Sequence, residues 1–355
     1  MGIRRGSFLL GLSFLSIVLA AFVAPFDDYT FPFLRGFPAM PHNPENPVTT
    51  DGVALGRYLF YDPILSADRD MACATCHQQV YAFAGGPARF SLNRHGDSLR
   101  RNTMPLFNLA WYPAFFWDGR AATLEEQVFE PVSHPDEMNL AWREALVRLS
   151  TDTFYRKQFQ AVFGPGQIDS THVAKALGQF LRTLLSYQSK YDRVLAGEAY
   201  FTPQEFRGFV LANEMDKGDC LQCHTTDSDA LGTNRNFSNN GLTLAVIPED
   251  YPDAGRGGVT GIAADFGKFK TPSLRNLAFT APYMHDGRFQ TLEALLDFYS
   301  EGVQAGVNTD SRMSMAHQGG VRLTAEEKAD LLAFLRTLSD SAFVRNPAFS
   351  NPFEE

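Results

Sequence analysis

The chain has 355 residues, 45% hydrophobic and 20% charged, with a formal net charge of −9. It is therefore globular, its length suggests two domains, and the acidic balance argues against nucleic acid or an anionic membrane as its main partner. Loss of Arg4 and Arg5 with an N-terminal segment would make the remainder more acidic still.

Those two arginines precede an uncharged run from Ser7 to Ala24, the pattern of an export signal. Val18 and Ala20 allow cleavage after Ala20, and the run is also just long enough to stay as an anchor. Residues 1–24 are thus a signal peptide or an N-terminal anchor, 25–48 a Pro-rich linker, and the protein is expected in the periplasm, free or tethered. Helices are predicted for GVALGRYLFYD (52–62), Asp136 to Leu149, Ser170 to Tyr187, TPQEFRGFVLANEM (202–215) and Thr324 to Leu338. Thr202 and Pro203 are an N-cap and first-turn pair, and Thr324 with Glu327 forms a capping box. Residues 232–261, rich in Gly and Asn, read as a long surface loop, and no alternating strand pattern stands out. The class is mainly α, with units expected at 49–190 and 191–345 and a tail at 346–355.

All four cysteines lie in Cys73-Ala-Thr-Cys76-His77 and Cys220-Leu-Gln-Cys223-His224. In an exported protein the pattern C-x-x-C-H reads as covalent attachment of c-type haem, the thiols adding to the vinyl groups and the adjacent His becoming the proximal iron ligand. Redox disulfides or one zinc site are the alternatives, and neither explains a His after both pairs.

A second pattern repeats. At one constant spacing Thr103, Leu106, Asn108, Leu109, Ala110, Asp118, Gly119, Arg120, Thr123, Leu124 and Glu125 are identical to residues 271, 274, 276, 277, 278, 286, 287, 288, 291, 292 and 293. This indicates an internal duplication in which each unit pairs a C-x-x-C-H with a distal segment. The same register sets Met284 against Phe116, His285 against Trp117, Leu295 against Gln127 and Tyr299 against Pro131. Met284, His285 and Tyr299 can each bind iron, whereas Phe116, Trp117 and Pro131 cannot. The first haem is thus expected open and the second closed, although the spacing alone equally fits Tyr299 as an ordinary tyrosine of an apolar helix face.

The runs LGRYLFYDPILSADRDMACATCHQQ, RRNTMPLFNLAWYPAFFWDGRAATLEEQ, CLQCH, GKFKTPSLRNLAFTAPYMHDGRFQTLEALLDFYSEG and LTAEEKADLLAFLRTLSD resemble the bacterial dihaem cytochrome c peroxidase family, which includes MauG-like oxidases. The resemblance implies two cytochrome c-like domains, each with one covalently bound haem c. It makes the haem at Cys73, Cys76 and His77 the peroxidatic one, and that at Cys220, Cys223 and His224 the electron-transfer one. It places Trp117 between the haems, Gln127, Pro131 and Glu137 over the peroxidatic haem, and Tyr299 at the second haem's other axial position. Asn102 and the carbonyls of Thr280 and Pro282 match the family's calcium site. Gln127 would position peroxide while Glu137 moves a proton; without the resemblance Glu137 is a solvated helix-start carboxylate.

The implied activity is reduction of hydrogen peroxide to water, fed by a small cytochrome c or a cupredoxin; a homodimer is an assembly in keeping with it. Two features depart from typical peroxidases. His95 is the candidate for the histidine that caps the peroxidatic haem before activation, but its local motif differs and a plain loop histidine is the alternative. Tyr299 stands where Met is usual, and an anionic oxygen donor favours higher oxidation states. That tilts the protein towards MauG-like oxidation of a partner protein, with a non-catalytic dihaem carrier as the third reading.

Overall fold

A computed structural model describes residues 27–354 apart from 216, 227 and 228. The expected export segment, 1–24, lies outside the described residues. Among the described residues no helix is long and apolar enough to cross a membrane.

The molecule is mainly helical. Among the described residues the α-helices are α1 (Thr50–Tyr61), α2 (Cys73–Cys76), α3 (Leu124–Ser133), α4 (Trp142–Thr151), α5 (Thr153–Phe163), α6 (Ser170–Thr183), α7 (Lys190–Leu195), α8 (Pro203–Asn213), α9 (Gly257–Thr260), α10 (Leu292–Asp297) and α11 (Ala325–Thr337). The one sheet among the described residues is a two-residue antiparallel pair, β1 (Phe237–Ser238) with β2 (Phe269–Lys270), which no sequence pattern announced.

Two helix crossings organise two cores. Where α1 meets α6, a Cβ on Gly56 would lie 2.0 Å from the Ala176 carbonyl; where α8 meets α11, one on Gly208 would lie 2.0 Å from the Asp330 carbonyl. Glycine lets the backbones touch, so the apolar faces close around them. Leu55, Leu59, Phe60, Leu177 and Phe180 lead the first core, and Ala212, Leu331, Phe334 and Leu335 the second.

Several elements differ from expectation. The helix expected from Asp136 begins at Trp142, because residues 134–140 hook back: Met138 N donates to Pro131 O and Leu140 N to Val132 O, with Asn139 at φ 50°. The helix expected to reach Tyr187 ends at Thr183, since Asn108 takes the next residues into hydrogen bonds with Leu184 O, Ser186 O and Ser186 N. Residues 232–261 are not a free surface loop: Leu242, Ala245 and Tyr251 are buried, and the segment bonds to residues 304–310. The Pro-rich linker is packed, with Phe31, Leu34 and Phe37 against Trp111, Leu185 and Leu231. The C-terminal segment is packed as well, Phe343, Val344 and Phe349 joining the first core.

Candidate functional site

Each C-x-x-C-H folds as one turn. His77 N donates to Cys73 O, and His224 N to Cys220 O, both at 2.9 Å. That turn carries the two thiols and the imidazole together, and all four cysteines are free. Burial first, then neighbouring charge, pushes Cys73 and Cys220 up to about 12.

The imidazoles are oriented from outside the motifs. His77 Nδ1 lies 2.8 Å from Phe83 O, and His224 Nδ1 lies 2.9 Å from Pro272 O. A carbonyl can only accept, so Nδ1 carries the proton and Nε2 keeps a lone pair, the tautomer a metal needs. Burial lowers both rings, His224 to about 4, and keeps them neutral at physiological pH. Free paired thiols beside an oriented neutral imidazole fit covalent haem c at both motifs.

The distal segments are built alike. Phe115 bridges Ala121 and Tyr283 bridges Phe289, and between them Asp118-Gly119-Arg120 and Asp286-Gly287-Arg288 make the same turn. Gly119 and Gly287 sit at φ 71° and 59°, and each arginine pairs with its own aspartate, at 3.1 and 2.7 Å. Thr123 and Thr291 then cap α3 and α10 through hydrogen bonds to Glu126 N and Ala294 N.

After the caps the units diverge. α3 runs on as an α-helix with Pro131 inside it; proline has no N–H to offer the Gln127 carbonyl. Gln127 and Pro131 are half-buried, and the Gln127 amide makes no side-chain hydrogen bond among the described residues. Glu137 follows in the hooked turn, also half-buried. Burial raises its carboxyl above the usual range, against His134 and Arg120, and its charge in turn acts on Cys73 and Cys76. His95 sits exposed at the tip of a small hairpin closed by Leu92 and Ser98.

In the second unit α10 passes into a π-helical turn, Phe298–Gly302, which contains Tyr299. Such a turn inserts an extra residue and re-aims the side chains, often at functional positions. Burial pushes the Tyr299 hydroxyl up to about 12 against the Asn240 hydrogen bond, with the charges of Cys220 and Cys223 adding to the effect, and Tyr299 and Cys220 pack against the same buried cluster. Met284 packs beside it at φ 74°. Asn240 donates from Nδ2 to Tyr299 Oη at 3.0 Å and lies 3.4 Å from Met284 Sδ. No sequence signal singled out Asn240, which belongs to an Asn-Gly turn like many others.

His285, the third candidate donor, is drawn elsewhere. Its ring stacks on Phe269, centroids 3.6 Å apart, and lies edge-on to Trp117 at 6.5 Å. Burial holds it down at about 4, against Asp286 and Asp253. Trp117 is buried and donates from Nε1 to Asn102 O at 2.8 Å. Asn102 points its amide nitrogen at Arg89 O, which leaves Oδ1 without a hydrogen-bond partner among the described residues; the carbonyls of buried Thr280 and of Pro282 are unpartnered in the same sense. Arg101 ties the junction together, binding Asp118 at 2.6 Å and Asp253 at 2.8 Å.

Comparison with known proteins agrees with this architecture. Residues 50–200 match the family described as di-haem cytochrome c peroxidase. The protein is 38% identical to the methylamine utilization protein MauG of Methylorubrum extorquens, over 84% of this chain and 81% of that one. It is 31% identical to cytochrome c551 peroxidase of Nitrosomonas europaea, over 85% and 84% of the two chains. Among solved structures, a MauG-like protein associated with microbial copper homeostasis superposes with a TM-score of 0.81 at 33% identity, covering 92% of this chain and 99% of that one. The chain belongs to the di-haem cytochrome c peroxidase family, a group of haem-dependent oxidoreductases that includes the MauG proteins.

Proposed function

We propose that the protein reduces hydrogen peroxide to water at the haem of the first unit, with electrons entering through the haem of the second from a small cytochrome c or cupredoxin. The observation that carries this reading is the asymmetry of two otherwise matching distal segments: Phe116, Trp117 and Pro131 on one side, Met284, His285 and Tyr299 on the other. Haem, when bound, would supply the one-electron couple at both motifs and, in the first unit, a coordination position that none of Phe116, Trp117 and Pro131 can fill.

The protein's own residues do the rest. Cys73 and Cys76 would hold one haem and Cys220 and Cys223 the other, His77 and His224 would each donate to the iron of their own group, and Tyr299 would donate to that of the second unit. Gln127 offers an uncommitted amide to orient peroxide. Glu137, its carboxyl raised by burial, can accept a proton from one peroxide oxygen and return it to the other. Trp117, fixed by Asn102, presents an indole between the units for electron transfer. Asn102 Oδ1 with the Thr280 and Pro282 carbonyls forms an all-oxygen donor set suited to calcium. The two cytochrome c-like units span 49–190 and 191–345, arose by duplication, and work in the periplasm.

Oxidation of a partner protein by peroxide is the second reading, favoured by Tyr299 in place of a thioether. Adding peroxide to the ferric holoprotein and then a reduced small cytochrome separates the two. Rapid return of the spectrum with cytochrome oxidation supports the peroxidase; a peroxide-induced change that persists in its presence supports the oxidase. No spectral response to peroxide, with both haems low-spin, would sink both.

A further inference from the structure

The second unit differs from the first not only at Tyr299. Between the C-x-x-C-H and the repeated Thr-x-x-Leu segment, which starts at Thr103 and Thr271, the second unit carries a much longer stretch, and that insertion contains Asn240. The Asn240 amide reaches Tyr299 Oη at 3.0 Å and faces Met284 Sδ at 3.4 Å, so one side chain touches two of the three candidate donors.

The turn that presents Asn240 is clamped. Asn239 Oδ1 accepts from Gly241 N, Asn239 Nδ2 donates to Tyr251 Oη at 2.9 Å, and Asn239 O accepts from Asp310 N. Gln304 N donates to Gly241 O at 2.8 Å, and Gly241 sits at φ 71° where a Cβ would lie 2.7 Å from Gln304 O. A backbone turn held from three directions restricts the aim of the side chain it presents at modest entropic cost. The same turn delivers Leu242 to a small cluster with Phe298, Val303 and Ala316, beside the second core built on α8 and α11.

We infer that Asn240 is the positioning residue for Tyr299, and that its hydrogen bond to the phenolic oxygen raises the reduction potential of the second haem. The inference rests on Tyr299 being the second axial donor there. An oxygen donor carries negative charge, and a fixed N–H pointed at it draws electron density away from the metal. The oxidised state is then less favoured than with a bare oxygen, so a haem with an oxygen ligand can still take an electron from a small redox protein. The insertion thus tunes the ligand that the duplicated segment supplies.

The test uses holoprotein carrying Tyr299→Phe, Asn240→Leu or Asn240→Asp, with Asn240→Leu also made in a Met284→Leu background so that the thioether cannot take over. The readouts are the ferric low-spin spectrum and a redox titration that resolves the two haems. In Asn240→Leu, in both backgrounds, the reduced-to-oxidised ratio of the second haem at a fixed potential should fall about tenfold, the size of a hydrogen bond to a charged oxygen. Asn240→Asp, which removes the donor and adds a negative charge, should move it the same way and further than Asn240→Leu, and the first haem should not shift. An unchanged or raised ratio, together with a Tyr299→Phe spectrum that does change, overturns the inference and leaves the ligand reading intact. An unchanged Tyr299→Phe spectrum overturns the ligand reading itself and the inference with it.

Discussion

Trp117 and His285 hold equivalent positions in the repeat, and they meet: their rings lie edge to face with centroids 6.5 Å apart. Their carbonyls are bound reciprocally, Lys270 N donating to Trp117 O at 2.8 Å and Asn102 N to His285 O at 2.7 Å. Asn102 and Lys270 are themselves equivalent under the same spacing, so the two units join through one contact made twice, about a local two-fold relation. Trp117→Phe keeps the apolar bulk but strands the Asn102 carbonyl. It should cost about 1 kcal/mol in denaturant melts and slow electron exchange between the haems in stopped-flow traces. An exchange rate equal to wild type would remove Trp117 from the path.

Glu137→Gln keeps the volume and removes the proposed base. Peroxide turnover should drop by roughly a hundredfold or more, while haem content and the second haem's spectrum stay the same. The wild-type rate should fall on acidification through an apparent pKa above the usual carboxylate range, because burial raises this carboxyl and a base must be ionised to accept a proton. A pH–rate profile flat across that range would assign the proton transfer elsewhere.

Glu125 and Glu293 are repeat equivalents with paired arginines in matching places, yet they differ in depth. Arg182–Glu125 lies at 2.7 Å with side chains 11% and 15% exposed, and Arg336–Glu293 at 3.3 Å with 62% and 55%. Glu125→Gln should destabilise by about 3 kcal/mol, since it leaves a buried guanidinium unpaired, and Glu293→Gln by less than about 1 kcal/mol. Burial pushes the Glu125 carboxyl up, but Arg182 and Asn46 outweigh it and the net shift is downward. Its contribution is therefore full above the usual carboxylate range and is lost as pH falls through the depressed folded value. Equal thermal shifts for the two variants would contradict this.

Gly56→Ala and Gly208→Ala each force a Cβ to 2.0 Å from a carbonyl oxygen of the crossing helix. Each should cost about 2 kcal/mol or more through separation of the helices, although alanine is the better helix former. A rise in Tm for either would show that the crossing relaxes without loss.

Lys270 is buried, with Nζ 4.6 Å from the Tyr112 ring centroid and 5.7 Å from that of Phe115. Burial, against the pull of Asp118, pushes it down to about 7 from its ordinary 10.5. Between those values the unfolded protein binds a proton that the folded one does not, so this group makes stability rise with pH across that window. Lys270→Met should flatten that slope and leave stability at pH 7 unchanged or higher. Parallel stability–pH curves for the two proteins would refute the assignment.

Much of this was legible in the sequence. Both C-x-x-C-H turns, the caps of α8 and α11, and the repeated Asp-Gly-Arg turns depend on near neighbours, and local chemistry dictates them. The helix α5 has a readable face too, Tyr155, Phe159 and Val162 behind an Asp152 cap, although it is absent from the helices predicted above. Residues that act over long sequence separations were hidden. Asn240 matters because Gln304, Tyr251 and Asp310 fix its turn. The lengths of α4 and α6 depart from expectation because Pro131 and Asn108, outside each helix, claim backbone groups that a longer helix would use.

Residues 347–353 fold back over α1. Arg57 donates to Pro347 O and Ser350 O, and Tyr61 to Phe349 O, while the Phe353 ring lies 5.4 Å from Tyr58. Residues 347–353 therefore seal α1 through contacts such as Arg57 to Ser350, 293 positions apart in sequence. Closing so long a loop carries an entropic cost before its contacts form, so the full packing of α1 depends on joining distant parts of the chain.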